Sequence, residues 1–209
     1  MGNETDTLLD LMRPNPLLIV LSGPSGVGKD ATLKRMKELG YPFHFVVTVT
    51  TRPKRPGEVE GVDYHFISME EFQRMLESGE LLEHANVYGN YYGVPKQDVR
   101  EALARGEDVL LRIDVQGAAT IKKVVPDGVF IFLAPPSMEE LIRRLRRRKT
   151  ESPERLERRI RIAREEMKAL PNYDYVVINR DGRLDETVKQ IAAIITAEKC
   201  RVHRRRIEL

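Results

Sequence analysis

Residues 23–30 read Gly23, Pro24, Ser25, Gly26, Val27, Gly28, Lys29 and Asp30, directly after the apolar run Leu17–Leu21. A buried strand that ends in a glycine-rich turn and opens into a helix aims several backbone N–H groups, and the positive end of a helix dipole, at one point. An anion the size of a phosphate fits there. Glycines let the backbone approach it closely, and Lys29 adds a point charge for the outer phosphates of a nucleoside triphosphate. One residue departs from the pattern. Position 30 calls for Ser or Thr, whose neutral hydroxyl ligates Mg²⁺ without repelling phosphate; Asp30 is a good Mg²⁺ ligand but brings a full negative charge into the cradle. Thr32 lies two positions on, so it is expected to face away and not to replace the hydroxyl. A chance glycine-rich turn would not combine this spacing, the lysine, the strand before it and the helical pattern of Leu33, Met36 and Leu39 after it.

The elements that must position this loop alternate along the chain. Strands are expected at 17–22, 43–49, 108–114, 129–134 and 174–179, with helices near 28–39, 95–105, 115–124, 137–147, 153–169 and 184–203. That alternation predicts an α/β fold, a parallel sheet with helices on both faces, and the phosphate loop after its first strand makes the P-loop NTPase type the expectation. Residues 50–93 interrupt it. Thr51–Gly61 is rich in Pro, Gly and charge, and short strand-like pieces at 63–67 and 81–87 flank a helix at 69–78. An insertion after the second core strand would lie above the carboxyl ends of the sheet, where ligands bind in open α/β folds.

The 209 residues, 41% of them hydrophobic, suit one α/β core with insertions. The single cysteine, Cys200, leaves no intramolecular disulfide and no multi-cysteine metal site, so a reduced, cytoplasmic setting is the default. No apolar run approaches a membrane span, and the acidic, polar first residues do not read as a signal peptide. Residues 1–15 read as a tail with a short helical turn at 8–12. The net charge of +3 decides nothing, but ten Arg and one Lys fall between Arg143 and Arg164 against three Glu. Such a run is a nucleic-acid footprint or a solvated helix face, and with few aromatics among the charges, base stacking is not supported.

At the insertion the residues become specific. Thr50-Thr51-Arg52-Pro53-Lys54-Arg55-Pro56-Gly57-Glu58, Gly61–Phe66, Leu82-Glu83-His84-Ala85 and Gly89–Gly93, in that order, strongly resemble guanylate kinase, and the resemblance runs from about Leu17 to Asn179. It implies a transfer from ATP, with Mg²⁺, to GMP, and a division into a core (16–47, 97–136 and 165–209), a GMP-binding insertion (48–96) and a lid (137–164). By resemblance Arg52 and Arg55 grip the GMP phosphate with the hydroxyls of Tyr64 and Tyr92, and Thr48 belongs to the same site. Glu83 matches the residue that accepts hydrogen bonds from the N1 and N2 edge of guanine; alone it would read as a solvated strand-end acid. Asp114 in Arg112-Ile113-Asp114-Val115-Gln116-Gly117 falls in the active site, Arg144, Arg148 and Arg159 match arginines closing over the triphosphate, and Asn179 a position near the adenine. No general base is needed, because the acceptor phosphate is already ionised near neutral pH.

Besides Asp30, two positions depart from the family's pattern. Val94 stands where a Ser or Thr hydroxyl commonly reaches guanine O6, and Arg112 replaces an acid two residues before Asp114. The Gly-Lys-Asp loop and the Tyr-Tyr-Gly-Val string are shared with ribose 1,5-bisphosphate phosphokinase, a rival in the same superfamily that needs no guanine reader. A non-catalytic guanylate-kinase-like binding module is a second rival, opposed by the intact phosphate loop. The expected partners are ATP and GMP, with no nucleic acid and no membrane, and oligomeric state has no signal in the sequence.

Overall fold

A computed structural model of the chain describes residues 15–87, 89–147 and 153–209. In chain order the elements are β1 (Leu18–Ser22), α1 (Lys29–Glu38), β2 (Phe43–Phe45), β3 (Val49–Thr50), β4 (His65–Phe66), α2 (Met69–Glu77), β5 (Leu81–Val87), β6 (Asn90–Pro95), α3 (Lys96–Ala104), β7 (Asp108–Arg112), α4 (Val115–Val124), β8 (Val129–Ala134), α5 (Met138–Arg147), α6 (Pro153–Met167), a short 3₁₀ turn at Leu170–Asn172, β9 (Tyr175–Ile178) and α7 (Leu184–Lys199).

Five strands form a parallel sheet in the order β2-β7-β1-β8-β9. Successive side chains of a strand point to opposite faces, so a strand covered on both sides must be apolar throughout. That is why β1 and β8 read as unbroken apolar runs. Leu17, Ile19 and Leu21 join the core under α1, α5, α6 and α7, with Met36, Leu141, Ala163 and Ile191. Leu18 and Val20 face the other way, onto Val99 and Ala102 of α3 and Ala118 and Ile121 of α4.

The insertion builds a second sheet, order β4-β3-β6-β5, in which β6 runs antiparallel to both its neighbours. The single strand expected at 43–49 is divided: Phe43–Phe45 pairs with β7, and Val49–Thr50 pairs with β4 and β6. A continuous apolar run carries no mark of the point where a chain changes sheet. Strand β6 was not expected, because Asn90, Gly93 and Pro95 are weak strand formers; its partners β3 and β5 supply the pairing.

At the C-terminus the helix stops at Lys199 rather than near 203. The buried Glu198 carboxylate accepts from Arg205 Nε at 2.7 Å and from the Tyr175 hydroxyl, and Ile207 and Leu209 pack on the α3–α4 core. The chain therefore turns back along the sheet instead of extending the helix. None of the described helices is long and apolar enough to cross a membrane. The tail expected at 1–15, with its helical turn, lies outside the described residues except for Asn15.

Candidate active site

The carboxyl ends of β1 and β7 face the insertion across an open cavity of about 700 Å³. Its floor is the phosphate loop. Gly28 caps α1 with φ 105°, a left-handed conformation, and a Cβ there would come within 2.5 Å of Asn179 Nδ2. Lys29 begins the helix and turns its ammonium back to donate to the carbonyls of Gly23 and Pro24. Burial pulls the Lys29 pKa below its ordinary value, opposed by the carboxylates of Glu166, Asp30 and Asp114. Thr32 donates its hydroxyl to the Gly28 carbonyl at 3.0 Å and is fully buried, so it does not stand in for a hydroxyl at position 30.

The loop already holds a carboxyl oxygen. Ser25 N–H donates to Glu166 Oε2 at 2.9 Å, and Arg159 Nη2 donates to Ser25 Oγ at 3.0 Å. Glu166, from the end of α6, has its pKa raised by burial. It is a site residue that sequence reasoning missed, since a glutamate in a helix dense with Arg and Glu reads as a solvated charge. Opposite the loop, Arg52 is only 7% exposed. Its guanidinium donates to Glu58 Oε1 (2.7 Å), Tyr92 OH (3.2 Å) and the Pro53 carbonyl (2.7 Å), and lies 5.3 Å from the centre of the Tyr64 ring. Glu58 also accepts from Arg55 N–H, so one carboxylate organises the whole 52–58 turn. Each of the two cationic pockets thus holds a carboxylate of the chain itself. Thr48, Arg55, Tyr64 and Tyr92 complete this wall of the cavity.

Glu83 lines the same cavity. It sits in β5 beside a break in register with β6, is 3% exposed, and its Oε2 has no hydrogen-bond partner. The solvated strand-end reading is therefore wrong for this residue. Burial, with the nearby Asp114 carboxylate, pushes its pKa up to about 8. Gly117 makes room for it: a Cβ there would lie 2.6 Å from Glu83 Oε2. Asp114 caps α4, accepting from Gly117 N–H at 2.8 Å, and lines the same cavity. A buried, unpartnered carboxyl in a polar cavity marks the place of a missing hydrogen-bonding ligand.

The family model described as guanylate kinase matches residues 15–198. The chain belongs to the guanylate kinase family. It is 51% identical over 197 residues, 94% of this chain and 69% of the relative, to "Guanylate kinase 2, chloroplastic/mitochondrial" of Oryza sativa subsp. japonica. It is 50% identical over 188 residues, 90% of each chain, to the guanylate kinase of Caldanaerobacter subterraneus subsp. tengcongensis. The crystal structure of guanylate kinase from Anaplasma phagocytophilum superposes with a TM-score of 0.75 at 37% identity, covering 93% of this chain and 92% of that one.

Of the positions that the guanylate kinase resemblance selects, several do not line the cavity. Arg144 donates to Glu140, to the Val27 carbonyl (3.2 Å) and to the Asn179 carbonyl (2.9 Å); Asn179 donates to the Val27 carbonyl at 2.8 Å and accepts from Thr187. Both brace the phosphate loop from behind. Gly23, Pro24 and Val27 are likewise loop framework, while Ser25, Gly26, Gly28, Lys29 and Asp30 face the cavity. Val94 is 1% exposed and packs in the core with Leu82 and Val99, so its side chain offers a ligand nothing here. Arg148 lies outside the described residues.

Proposed function

We propose that the chain transfers the γ-phosphoryl group of ATP to GMP, giving ADP and GDP. The observation that carries the reading is Glu83, a buried acid without a partner for Oε2, in the cavity that the phosphate loop and the arginine pocket share. Guanine offers a carboxylate two donors, N1–H and N2–H₂. Adenine offers neither, since its N1 is an acceptor and its C2 carries no amino group, so it supplies no donor pair to favour the ionised carboxylate. Ribose 1,5-bisphosphate has no base to meet Glu83, and a binding module has no use for Lys29.

In this reading ATP lays its phosphates on the N–H groups of the loop, displacing Glu166, with Lys29 beside the outer phosphates. The GMP phosphate takes the guanidinium fork of Arg52 from Glu58, joined by Arg55 and the hydroxyls of Tyr64 and Tyr92. Burial raises the Tyr64 pKa to about 12, which keeps its hydroxyl a donor. Two polyanions meet in a cationic cleft, so alignment and charge neutralisation carry the chemistry. Arg159 and, by closure of 137–164, Arg144 and Arg148 would cover the triphosphate. The division into core, insertion and lid is part of this proposal. So is a cytoplasmic setting, supported by the single cysteine, although the rice relative is named for organelles.

The donor set fits Mg²⁺. Among the described residues no three His, Cys, Asp or Glu side chains surround one point, and Asp30 sits beside Lys29 at the loop. A small hard cation that takes most of its ligands from phosphate and water needs only such a carboxylate. Asp30 would hold the ion, which when bound neutralises phosphate charge.

The protonation of Glu83 tests the base reading. In the free protein its carboxyl holds a proton below about pH 8, and guanine's two donors favour the ionised form. GMP binding near neutral pH is therefore expected to release a proton, and affinity to rise with pH until the free carboxyl ionises. Calorimetry in buffers of different ionisation enthalpy should show that release for wild type and its loss in Glu83→Gln; equal release by both would remove Glu83 from the guanine site. Gly117→Ala should act on the same residue. Its methyl group displaces the Glu83 carboxylate while improving the helix, so GMP affinity is expected to fall about tenfold with thermal stability kept or raised. Unchanged affinity in a folded variant would contradict the geometry.

A further inference from the structure

The two charged departures from the family's pattern touch each other. Arg112 Nη1 donates to Asp30 Oδ1 at 2.6 Å, across 82 residues of sequence. Arg112 ends β7, in register with Leu21 at the end of β1, and so it stands beside the strand that leads into the phosphate loop. Its side chain is 11% exposed and uses its plane in three directions. One nitrogen reaches Asp30, the other donates to the Asp63 carbonyl at 3.2 Å, and the guanidinium carbon lies 4.6 Å from the centre of the Tyr64 ring. Asp30 belongs to the donor side of the cleft; Asp63 and Tyr64 belong to the acceptor side. A hydroxyl and an acid at these two positions would leave one negative charge where two polyanions must meet. The carboxylate and guanidinium leave none.

We propose that Arg112 is a positioning residue for the acceptor phosphate, held by Asp30 as its counterion, so that the pair is a strut fixing Tyr64 against the phosphate loop. The inference rests on the GMP reading above. Two guanidinium groups lie over the Tyr64 ring, Arg112 at 4.6 Å and Arg52 at 5.3 Å from its centre, and these contacts hold the orientation in which its hydroxyl would meet the acceptor phosphate. Lysine cannot make these three contacts together, because it is a point charge without a plane. Asp30 acquires a role on the acceptor side, away from any metal it ligates, and its excess charge is cancelled where it arises.

The test is GMP binding by calorimetry with neither ATP nor divalent metal present, on wild type, Asp30→Ala, Arg112→Ala, Arg112→Lys and the double alanine variant. Arg112→Ala is expected to weaken GMP about tenfold, with no rescue by lysine. Asp30→Ala, at a position 68% exposed where folding is not at risk, is expected to weaken it several-fold. The double variant should bind no worse than Arg112→Ala alone, since the two residues act as one unit. Asp30→Ala with unchanged metal-free affinity would overturn the strut, as would losses that simply add. Failure of wild type to bind GMP would instead overturn the GMP reading itself.

Discussion

Lys29→Ala is expected to lower kcat for phosphoryl transfer by about 10³-fold while leaving the fold intact. Lys29 is half-buried, and desolvation pulls its pKa down, so its charge is held in the site at a cost to stability that alanine removes. Among the described residues its ammonium donates to the Gly23 and Pro24 carbonyls, an arrangement that keeps a cation beside the loop until phosphates arrive. The charge that develops on the transferring group is then met by nothing else on the loop except backbone N–H dipoles. Steady-state kinetics with a thermal melt separates the two effects: kcat collapses and the melting temperature does not. A kcat within tenfold of wild type would show that Lys29 does not face the transferring phosphoryl group.

Arg52→Ala is expected to raise KM for GMP by about 10²-fold or more, with KM for ATP nearly unchanged. The side chain is buried, forked onto Glu58 and Tyr92, and packed against Tyr64 and Phe66. Alanine removes the phosphate fork and also leaves Glu58, which organises the 52–58 turn, without its cation. Some loss of stability, about 1–3 kcal/mol, accompanies the change. Arg52→Lys restores charge without the planar fork and is expected to recover little of the affinity. Equal rises in both KM values would point to general collapse of the cleft rather than to loss of an acceptor-phosphate contact.

What the sequence made legible was what is local in it. The phosphate loop is a contiguous strand, turn, lysine and helix, so its chemistry can be read without the fold. The central strands β1, β7 and β8 announced themselves as apolar runs because both their faces are buried, whereas the edge strands β2 and β9 are partly exposed. Strand β6 did not, since its stability comes from partners on either side and not from Asn90, Gly93 or Pro95. Glu83 was ambiguous alone, and only its burial in the fold separates a base reader from a surface acid. Glu166 and the Asp30–Arg112 contact were invisible for a different reason. The first touches a loop 141 residues away and the second spans 82, and no spacing rule joins such residues. Arg144 and Asn179, selected by motif matching, both donate to the Val27 carbonyl of the loop in this structure, a contact that the motif alone does not reveal.

The most direct test of the proposed reaction is ADP production from Mg-ATP by the purified protein, with GMP, AMP and ribose 1,5-bisphosphate offered in parallel as acceptors. Turnover that depends on GMP, with little from AMP and none from ribose 1,5-bisphosphate, is the result that Glu83, Arg52 and Lys29 predict together. Turnover with ribose 1,5-bisphosphate alone, or none with any acceptor from a folded protein, would contradict it.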